Sequence, residues 1–146
     1  MQDKGPLRVL DANFNRCKEG LRVIEDIFRF ILEDDLFRKK IRGFRHSLDI
    51  LAQEEIIQKA ILSRNSASDP GRAVDQLESR RDKVIDLLYI NLQRVKESLR
   101  VLEEFSKLIT PQSTSTIKNI RYEIYTLEKE IVQKWPPLSN TGHRSN

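Results

Sequence analysis

Arginine occurs at matching positions in two segments of this sequence, and its chemistry suits phosphate binding. Residues 13–30 read NFNRCKEGLRVIEDIFRF and residues 91–108 read NLQRVKESLRVLEEFSKL, with eight identical positions in an ungapped alignment. Two arginines of the first segment, Arg16 and Arg22, recur in the second as Arg94 and Arg100. A guanidinium group donates paired hydrogen bonds that fit the geometry of a phosphate. The repeated arginines are therefore candidates for binding a phosphorylated small molecule.

The repeated polar residues form two rows on opposite flanks of their helices. Steps of three and four residues keep each row on one side of a helix. The first row comprises Lys18, Arg22, Glu25 and Arg29 in one copy and Lys96, Arg100, Glu103 and Lys107 in the other. The second row comprises Asn13, Arg16 and Gly20 in one copy and Asn91, Arg94 and Ser98 in the other. The small residue after each arginine of the second row leaves space for a ligand.

A structural interpretation accounts for part of the same pattern. The pairs spaced for intrahelical salt bridges are Arg22 with Glu25 and Arg100 with Glu103. Such pairs contribute about 0.3 kcal/mol each. This interpretation explains less well why arginine recurs again at Arg45 and Arg121, because lysine serves a solvated surface equally well. Anion binding and ordinary pairing both stay open at this point.

The segments that contain these rows are predicted to be helices. Apolar residues recur at alternating steps of four and three, namely Leu10, Phe14, Cys17, Leu21, Ile24, Phe28 and Ile31, and again Leu88, Leu92, Val95, Leu99, Leu102 and Ile109. A second pair of matching segments, residues 41–51 and 117–127, continues this spacing. Short connectors force neighbouring helices to be antiparallel. The sequence therefore predicts an all-α fold, an antiparallel four-helix bundle from a duplicated helix-turn-helix unit, with Asp11 capping the first helix.

Length and composition limit the classes of protein that remain. The 146 residues fit one helical-bundle domain over residues 1–135, followed by a polar, proline-interrupted tail over 136–146 that we predict to be disordered. The 26 basic and 22 acidic residues alternate in sign, which argues against nucleic acid as a partner. No apolar stretch is long enough to cross a bilayer and no signal segment is present, so we expect a cytoplasmic protein without a membrane partner.

Residues 64–75, RNSASDPGRAVD, differ in composition from the predicted helices. A loop of this length inside a bundle is unusual, and two interpretations stay open: a lid or binding segment, and a tether between the two copies. The chain contains neither GxxxxGK[ST] nor GxGxxG. Side chains must therefore hold the phosphates of any nucleotide that binds.

Several strings resemble the small hydroxymethylpyrimidine-phosphate kinase family of thiamine biosynthesis. These are DANFNRCKEGLRVIED, SDPG after Arg64, NLQRVKESLRVLEEFSKL and RYEIYTLE, and the similarity runs from about Leu10 to Glu130. The family's domain occurs alone or fused ahead of thiamine-phosphate synthase. The resemblance implies transfer of the γ-phosphoryl group of ATP to hydroxymethylpyrimidine phosphate, with Mg²⁺ as cofactor. Because the nucleophile is already an anionic phosphate oxygen, arginines and Mg²⁺ suffice without a general base.

The resemblance also implies roles for individual residues. It implies catalytic roles for Arg22, Arg64 and Arg100, and Mg²⁺ ligands at Glu25 and Glu103. It implies that the substrate or nucleotide is bound by Asp11, Asn13, Arg16, Glu19, Arg45, Asp69, Gly71, Arg81, Arg94, Glu97, Arg121 and Tyr122. Two loop residues depart from the family pattern, Asn65 in place of Asp and Arg72 in place of Thr.

The expected partners are ATP and the phosphorylated pyrimidine, and a homo-oligomer is left open. The competing hypothesis is a non-catalytic helical module that docks onto or regulates another enzyme of the thiamine pathway. In that case the repeated arginine rows form a protein-binding face. Turnover of ATP and hydroxymethylpyrimidine phosphate in the presence of Mg²⁺ separates the two hypotheses.

Overall fold

Five α-helices form the part of the chain that the structure, a computed structural model, describes: residues 4–69, 71 and 83–137. They are α1 (Lys4–Asp26), α2 (Asp35–Leu51), α3 (Glu55–Ile61), α4 (Val84–Ile109) and α5 (Thr114–Lys134). A π-helical turn at Ile27–Ile31 follows α1, and short 3-10 turns lie at Ser66–Ser68 and Pro111–Ser113. The described residues contain no β-strand, which confirms the all-α prediction for them.

The first turns of α1 and α2 differ in how an aspartate relates to the helix N-terminus. The Asp34 carboxylate accepts a hydrogen bond from the Phe37 backbone N–H at 3.2 Å, which satisfies an exposed amide of the first turn of α2. The predicted cap at Asp11 is wrong, because α1 already begins at Lys4 and Asp11 lies in its interior. Leu7 packs against the core, so the apolar face of α1 extends upstream of Asp11.

Helices α1 and α4 form the central pair of the fold. They are antiparallel, because Gly20 lies beside Val95 while Cys17 lies beside Ser98. Helix α2 packs on α1 and α5 packs on α4, and the ion pairs across each interface run in reverse order along the two helices. The predicted four-helix bundle is not confirmed in its regular form, because α3 also packs on α1 and α2 makes few contacts with α5. The origin of the two halves by duplication stays a prediction.

Most residues of the predicted apolar seams form the core. The buried members include Leu10, Cys17, Leu21, Ile24, Phe28, Ile41, Leu48, Leu88, Leu92, Val95, Leu99, Leu102, Ile124 and Ile131. Ile31 is instead 54% exposed, because the π-helical turn changes the register of the helix there. Phe44 is half-buried beside the open groove between α2 and α5. Ser106, a polar residue on the seam, is fully buried, and its hydroxyl donates to the Glu103 carbonyl at 2.8 Å.

A hydrogen bond connects the end of α5 to the start of α2. The indole N–H of Trp135 donates to Asp34 at 3.0 Å, and the Tyr89 hydroxyl donates to the Trp135 carbonyl at 2.5 Å. The predicted domain limit at residue 135 stays a prediction, since most of the predicted tail, residues 138–146, lies outside the described residues. Within the described ranges, no helix is both long enough and apolar enough to span a bilayer.

Candidate functional site

A polar cleft of about 550 Å³ lies between α1 and α4. Five pairs of residues at matching repeat positions line it: Asn13 and Asn91, Arg16 and Arg94, Glu19 and Glu97, Gly20 and Ser98, and Val23 and Val101. Gly71, from the segment that follows α3, also lines it. Each half of the cleft therefore presents the same order of an amide, a guanidinium, a carboxylate, a small residue and a valine.

Small residues allow α1 and α4 to approach closely beneath this cleft. A Cβ atom on Gly20 would lie 2.8 Å from Cγ2 of Val95 and 3.4 Å from the Asn91 carbonyl oxygen. At the matching position on α4, the buried Ser98 hydroxyl donates to the Val95 carbonyl at 2.9 Å, and it also contacts Cys17. Burial raises the pKa of the Cys17 thiol to about 12, although the contact with Ser98 lowers it. Cys17 is therefore a core residue without reactive character.

The two asparagines of the cleft are fixed by their own helices. The Asn13 amide donates to the Val9 carbonyl at 3.0 Å, and the Asn91 amide donates to the Leu87 carbonyl at 2.8 Å. The Asn13 side-chain oxygen in turn accepts from the Arg16 guanidinium at 3.4 Å. The amides therefore stay buried and oriented at the base of the cleft.

Arg16 and Arg94 are the cationic groups of the cleft. Both are exposed, and neither forms a salt bridge with a carboxylate among the described residues. Glu19 and Glu97 line the same cleft and are also exposed. Apart from the donor that Arg16 directs to Asn13, the cleft thus offers two guanidinium groups whose hydrogen-bond donors are available to an anion.

A second groove of about 650 Å³ continues from one end of the cleft and shares Asn13, Arg16 and Glu19 with it. Arg64 lies there and donates twice to the Asp11 carboxylate, with both distances at 2.7 Å. These hydrogen bonds raise the pKa of Arg64 above its ordinary value. The Asp69 carboxylate accepts from the Gly71 backbone N–H at 2.8 Å. Asp11, Arg64 and Asp69 therefore extend the polar surface at this end of the cleft.

The opposite flank of the central pair contains two arginines with carboxylate partners. Arg45 donates to Glu25 at 2.6 Å, and Arg121 donates to Glu103 at 2.6 Å. The hydrogen bond from Arg121 lowers the pKa of Glu103, although burial opposes this shift. Arg121 also donates to the Tyr125 hydroxyl at 3.0 Å. These guanidinium groups join α2 to α1 and α5 to α4.

Arg22 and Arg100 lie on this flank and not in the cleft. Their side chains are 56% and 58% exposed, and their nearest carboxylates are at 3.9 Å for Glu25 and 3.8 Å for Glu104. Tyr122 is also exposed, with the guanidinium carbon of Arg121 4.9 Å from its ring centre. The structure therefore separates the residues that the resemblance implied into two groups on different faces.

The cleft and its groove bring together nine of the implied site residues, namely Asp11, Asn13, Arg16, Glu19, Arg64, Asp69, Gly71, Arg94 and Glu97. The other flank contains Arg22, Glu25, Arg45, Arg100, Glu103, Arg121 and Tyr122. Arg81 lies outside the described residues. Sequence reasoning missed Val23 and Val101, although two valines at matching positions off the apolar seam were a usable signal.

The Mg²⁺ and ATP expectations stay predictions. In the part of the chain that the structure describes, no group of three or more His, Cys, Asp and Glu side chains is arranged to hold a metal ion. Glu25 and Glu103, the implied ligands, each accept a short hydrogen bond from an arginine. A metal ion at either glutamate would have to share the carboxylate with that arginine.

The fold and the cleft define an all-helical protein with a polar site between two helices of matching sequence. The chain belongs to the ThiD2 family, whose sequence model matches residues 8–130. No solved structure matches the chain with statistical significance. Its assignment therefore depends on the family match and on sequence relatives.

Curated proteins named thiamine-phosphate synthase are similar to this chain. The one from Prochlorococcus marinus subsp. pastoris is 40% identical over 86% of this chain and 35% of its own length. The one from Nostoc sp. is 36% identical over 86% of this chain and 35% of its own length. The one from Rhodopirellula baltica is 33% identical over 91% of this chain and 36% of its own length. The chain thus spans about a third of the length of these relatives.

These relatives correct the function that the sequence led us to expect. The three relatives are named thiamine-phosphate synthase, and this chain covers only 35% to 36% of their length. They contradict the expectation that the function of this chain is to phosphorylate hydroxymethylpyrimidine phosphate with ATP. The chain is a ThiD2 domain, and its relatives are enzymes of thiamine biosynthesis. The thiamine-biosynthesis family that the resemblance indicated is confirmed, and the reaction that it implied is not supported for this chain.

Proposed function

We propose that this chain is a ligand-binding domain of thiamine biosynthesis whose cleft holds a phosphorylated aminopyrimidine. The single observation that supports this most directly is that Arg16 and Arg94 face one cleft without a carboxylate partner among the described residues. Guanidinium groups in a concave site attract anions, and their planar geometry matches phosphate oxygens. The proposal concerns binding alone and includes no phosphoryl transfer.

The other groups of the cleft suit the pyrimidine part of such a ligand. Val23 and Val101 supply apolar walls, and Glu19 and Glu97 supply carboxylates that can accept hydrogen bonds from an exocyclic amino group. The volume of about 550 Å³ lies within the usual range of small-molecule sites, roughly 300–1,000 Å³. An apolar wall combined with a few fixed polar groups is typical of such sites.

The relatives suggest which compounds to test. Thiamine phosphate, the compound in their name, contains an aminopyrimidine ring and a phosphate. Hydroxymethylpyrimidine phosphate combines the same two chemical groups in a smaller molecule. The proposal requires only this shared chemistry, and titration of both compounds distinguishes them.

The test is isothermal titration calorimetry of both compounds and of their unphosphorylated forms. We expect the phosphorylated forms to bind more tightly, and we expect Arg16→Ala and Arg94→Ala each to weaken binding by roughly ten- to hundredfold, since a charge-assisted hydrogen bond is worth about 1.5–3 kcal/mol. Lys39→Ala removes an exposed cation outside the cleft and serves as the matched control. Circular dichroism establishes that each variant is folded.

The variants Arg22→Ala and Arg100→Ala test whether the ligand binds on the opposite flank instead. If these variants weaken binding while the Arg16 and Arg94 variants do not, the ligand occupies the other flank and our choice of site is wrong. If neither compound binds the unmodified protein, the ligand-binding proposal fails. The docking module then becomes the better hypothesis.

A further inference from the structure

The connection between α1 and α2 has an irregular backbone. Residues Ile27–Ile31 form a π-helical turn, and Glu33 adopts a φ of 51°, the one positive φ at a non-glycine residue in the described ranges. A side chain in this left-handed region is disfavoured by contacts of its Cβ atom. Such conformations, like π-helical turns, are found frequently at functional sites. The connection therefore has two backbone features that are frequent at ligand sites.

The π-helical turn leaves an aromatic side chain in solvent. Phe30 is 64% exposed, and the guanidinium carbon of Arg29 lies 4.8 Å from the centre of its ring. The adjacent Phe28 is fully buried and packs on Phe37 at a centroid distance of 5.3 Å. The turn thus presents a stacked arginine and phenylalanine at the surface, close in sequence to a buried aromatic pair.

A cavity of about 630 Å³, which we call the turn cavity, lies beside this stacked pair. Its lining includes Arg29, Phe30, Glu33, Asp35, Arg38 and Arg42. Arg38 is already held by Asp35, with its Nε donating at 2.8 Å. Arg29 and Arg42 form no salt bridge within the described part of the chain. Two guanidinium groups and an exposed aromatic ring therefore face one cavity.

We propose that the turn cavity binds a nucleoside monophosphate. The base stacks against Phe30 and Arg29, because every nucleobase has a π-face that aromatic rings and guanidinium groups accept. The phosphate binds Arg42, whose donors are not used by a carboxylate among the described residues. The Glu33 carboxylate accepts hydrogen bonds from ribose hydroxyl groups.

This site is independent of the cleft between α1 and α4, since the two share no lining residue. It is also specific to the first half of the chain. The positions that correspond to Arg29, Phe30 and Arg42 in the second half are occupied by Lys107, Leu108 and Lys118. The aromatic ring is therefore absent from the second half, which supplies matched control positions.

The experiment titrates the full chain with adenosine monophosphate, adenosine and inorganic phosphate, and follows binding by calorimetry and by amide chemical shifts. We expect the monophosphate to bind more tightly than either fragment and to shift amides of residues 28–42. Phe30→Ala should weaken binding by roughly five- to hundredfold, and Phe30→Trp should preserve it. Arg42→Ala should weaken it by roughly tenfold or more. Phe30 and Arg42 are both exposed, so their variants should fold normally.

The matched controls are Leu108→Ala and Lys118→Ala, which should leave the affinity unchanged. The proposal is overturned if adenosine monophosphate does not bind, or if the Phe30 and Arg42 variants bind it as tightly as the unmodified chain. It is also overturned if Arg16→Ala abolishes binding, because the nucleotide then occupies the cleft. The first two results leave the test of the aminopyrimidine ligand unaffected, because they concern the turn cavity alone.

Discussion

The two flanks of the central helix pair use arginine in different ways. On one flank, Arg16 and Arg94 line the cleft, are exposed and have no salt-bridge partner among the described residues. On the other flank, Arg45 and Arg121 each donate at 2.6 Å to a buried glutamate of the neighbouring helix. Both pairs of arginines come from matching positions of the two halves. Arginines that recur at matching positions of the sequence therefore include both exposed ones without a described carboxylate partner and ones that are paired with a buried glutamate.

The comparison shows that burial and a carboxylate neighbour decide which role an arginine has. A buried pair is held by two desolvated charges, and removal of one partner leaves the other uncompensated. An exposed arginine without such a partner contributes little to folding, so its guanidinium group remains available to a ligand. Variants on the two flanks should therefore affect different measurements.

The largest expected effect comes from Arg121→Ala. Glu103 is 5% exposed and would lose its partner, so the free energy of unfolding should fall by about 3–5 kcal/mol. Chemical denaturation followed by circular dichroism measures this change. Replacing both partners, with Glu103→Gln and Arg121→Met, should recover much of the loss because no buried charge remains. A loss below about 1 kcal/mol in the single variant would show that this pair behaves like an exposed salt bridge.

Acid should remove part of the same free energy. The hydrogen bond from Arg121 lowers the pKa of Glu103 below its ordinary value, so the pair stabilises the fold above the unfolded pKa of about 4.3. This contribution is lost as the pH falls through the lower pKa of the folded state. Denaturation of the unmodified chain and of the Glu103→Gln, Arg121→Met variant between pH 6 and pH 2 measures it. The double variant should lose less stability, and equal losses would exclude Glu103 as the titrating group.

Gly20→Ala tests the close approach of the helices beneath the cleft. Its new Cβ atom would lie 2.8 Å from Cγ2 of Val95, which is fully buried and stiff at its branched carbon. Overpacking destabilises the fold by about 1–3 kcal/mol, and the higher helix propensity of alanine offsets about 1 kcal/mol of this. We therefore expect the free energy of unfolding to fall by about 1 kcal/mol. Gly43→Ala is the matched control, because nothing lies within 4 Å of its added Cβ and stability should rise. Thermal unfolding that shows equal effects would contradict the close packing.

The smallest effect on stability is expected at the cleft itself. Arg16→Ala and Arg94→Ala should each change the free energy of unfolding by less than about 0.5 kcal/mol, because these side chains are exposed and have no described salt-bridge partner. The same denaturation measurement used for Arg121→Ala provides the comparison. A loss above about 2 kcal/mol at either position would show that the cleft arginines also hold the fold together.

Much of the fold followed from the spacing of apolar residues. The seams of α1 and α4 were predicted position by position, and nearly all of their members are buried. Two features could not be predicted from that spacing. Helix α3 is short and its burial depends on contact with α1, and the π-helical turn interrupts the register at Ile31. The burial of α3 depends on packing between segments that are distant in the sequence, and the π-helical turn departs from the regular α-helical geometry on which the spacing is based.

The candidate site was predicted less completely than the fold. The row of Asn13, Arg16 and Gly20, with its counterpart in the second half, was recognised as a flank with space for a ligand, and the cleft lies there. The resemblance implies catalytic roles for Arg22 and Arg100, which lie on the opposite flank beside Glu25 and Glu104. Repetition alone does not separate these two arginines from Arg16 and Arg94, since it reports similarity of the two halves and not the position of the neighbouring helix.

The sequence by itself determined the four longer helices, their buried faces and the two flanks on which the arginines lie. These properties are local, because residues three and four apart share one side of a helix whatever surrounds it. Only the tertiary structure decided which arginines have carboxylate partners. Arg121 meets Glu103 across the interface between α4 and α5, whereas Arg16 faces open space between α1 and α4. Helix packing sets that outcome, because the interaction of two charges depends on their distance and burial and not on their sequence separation.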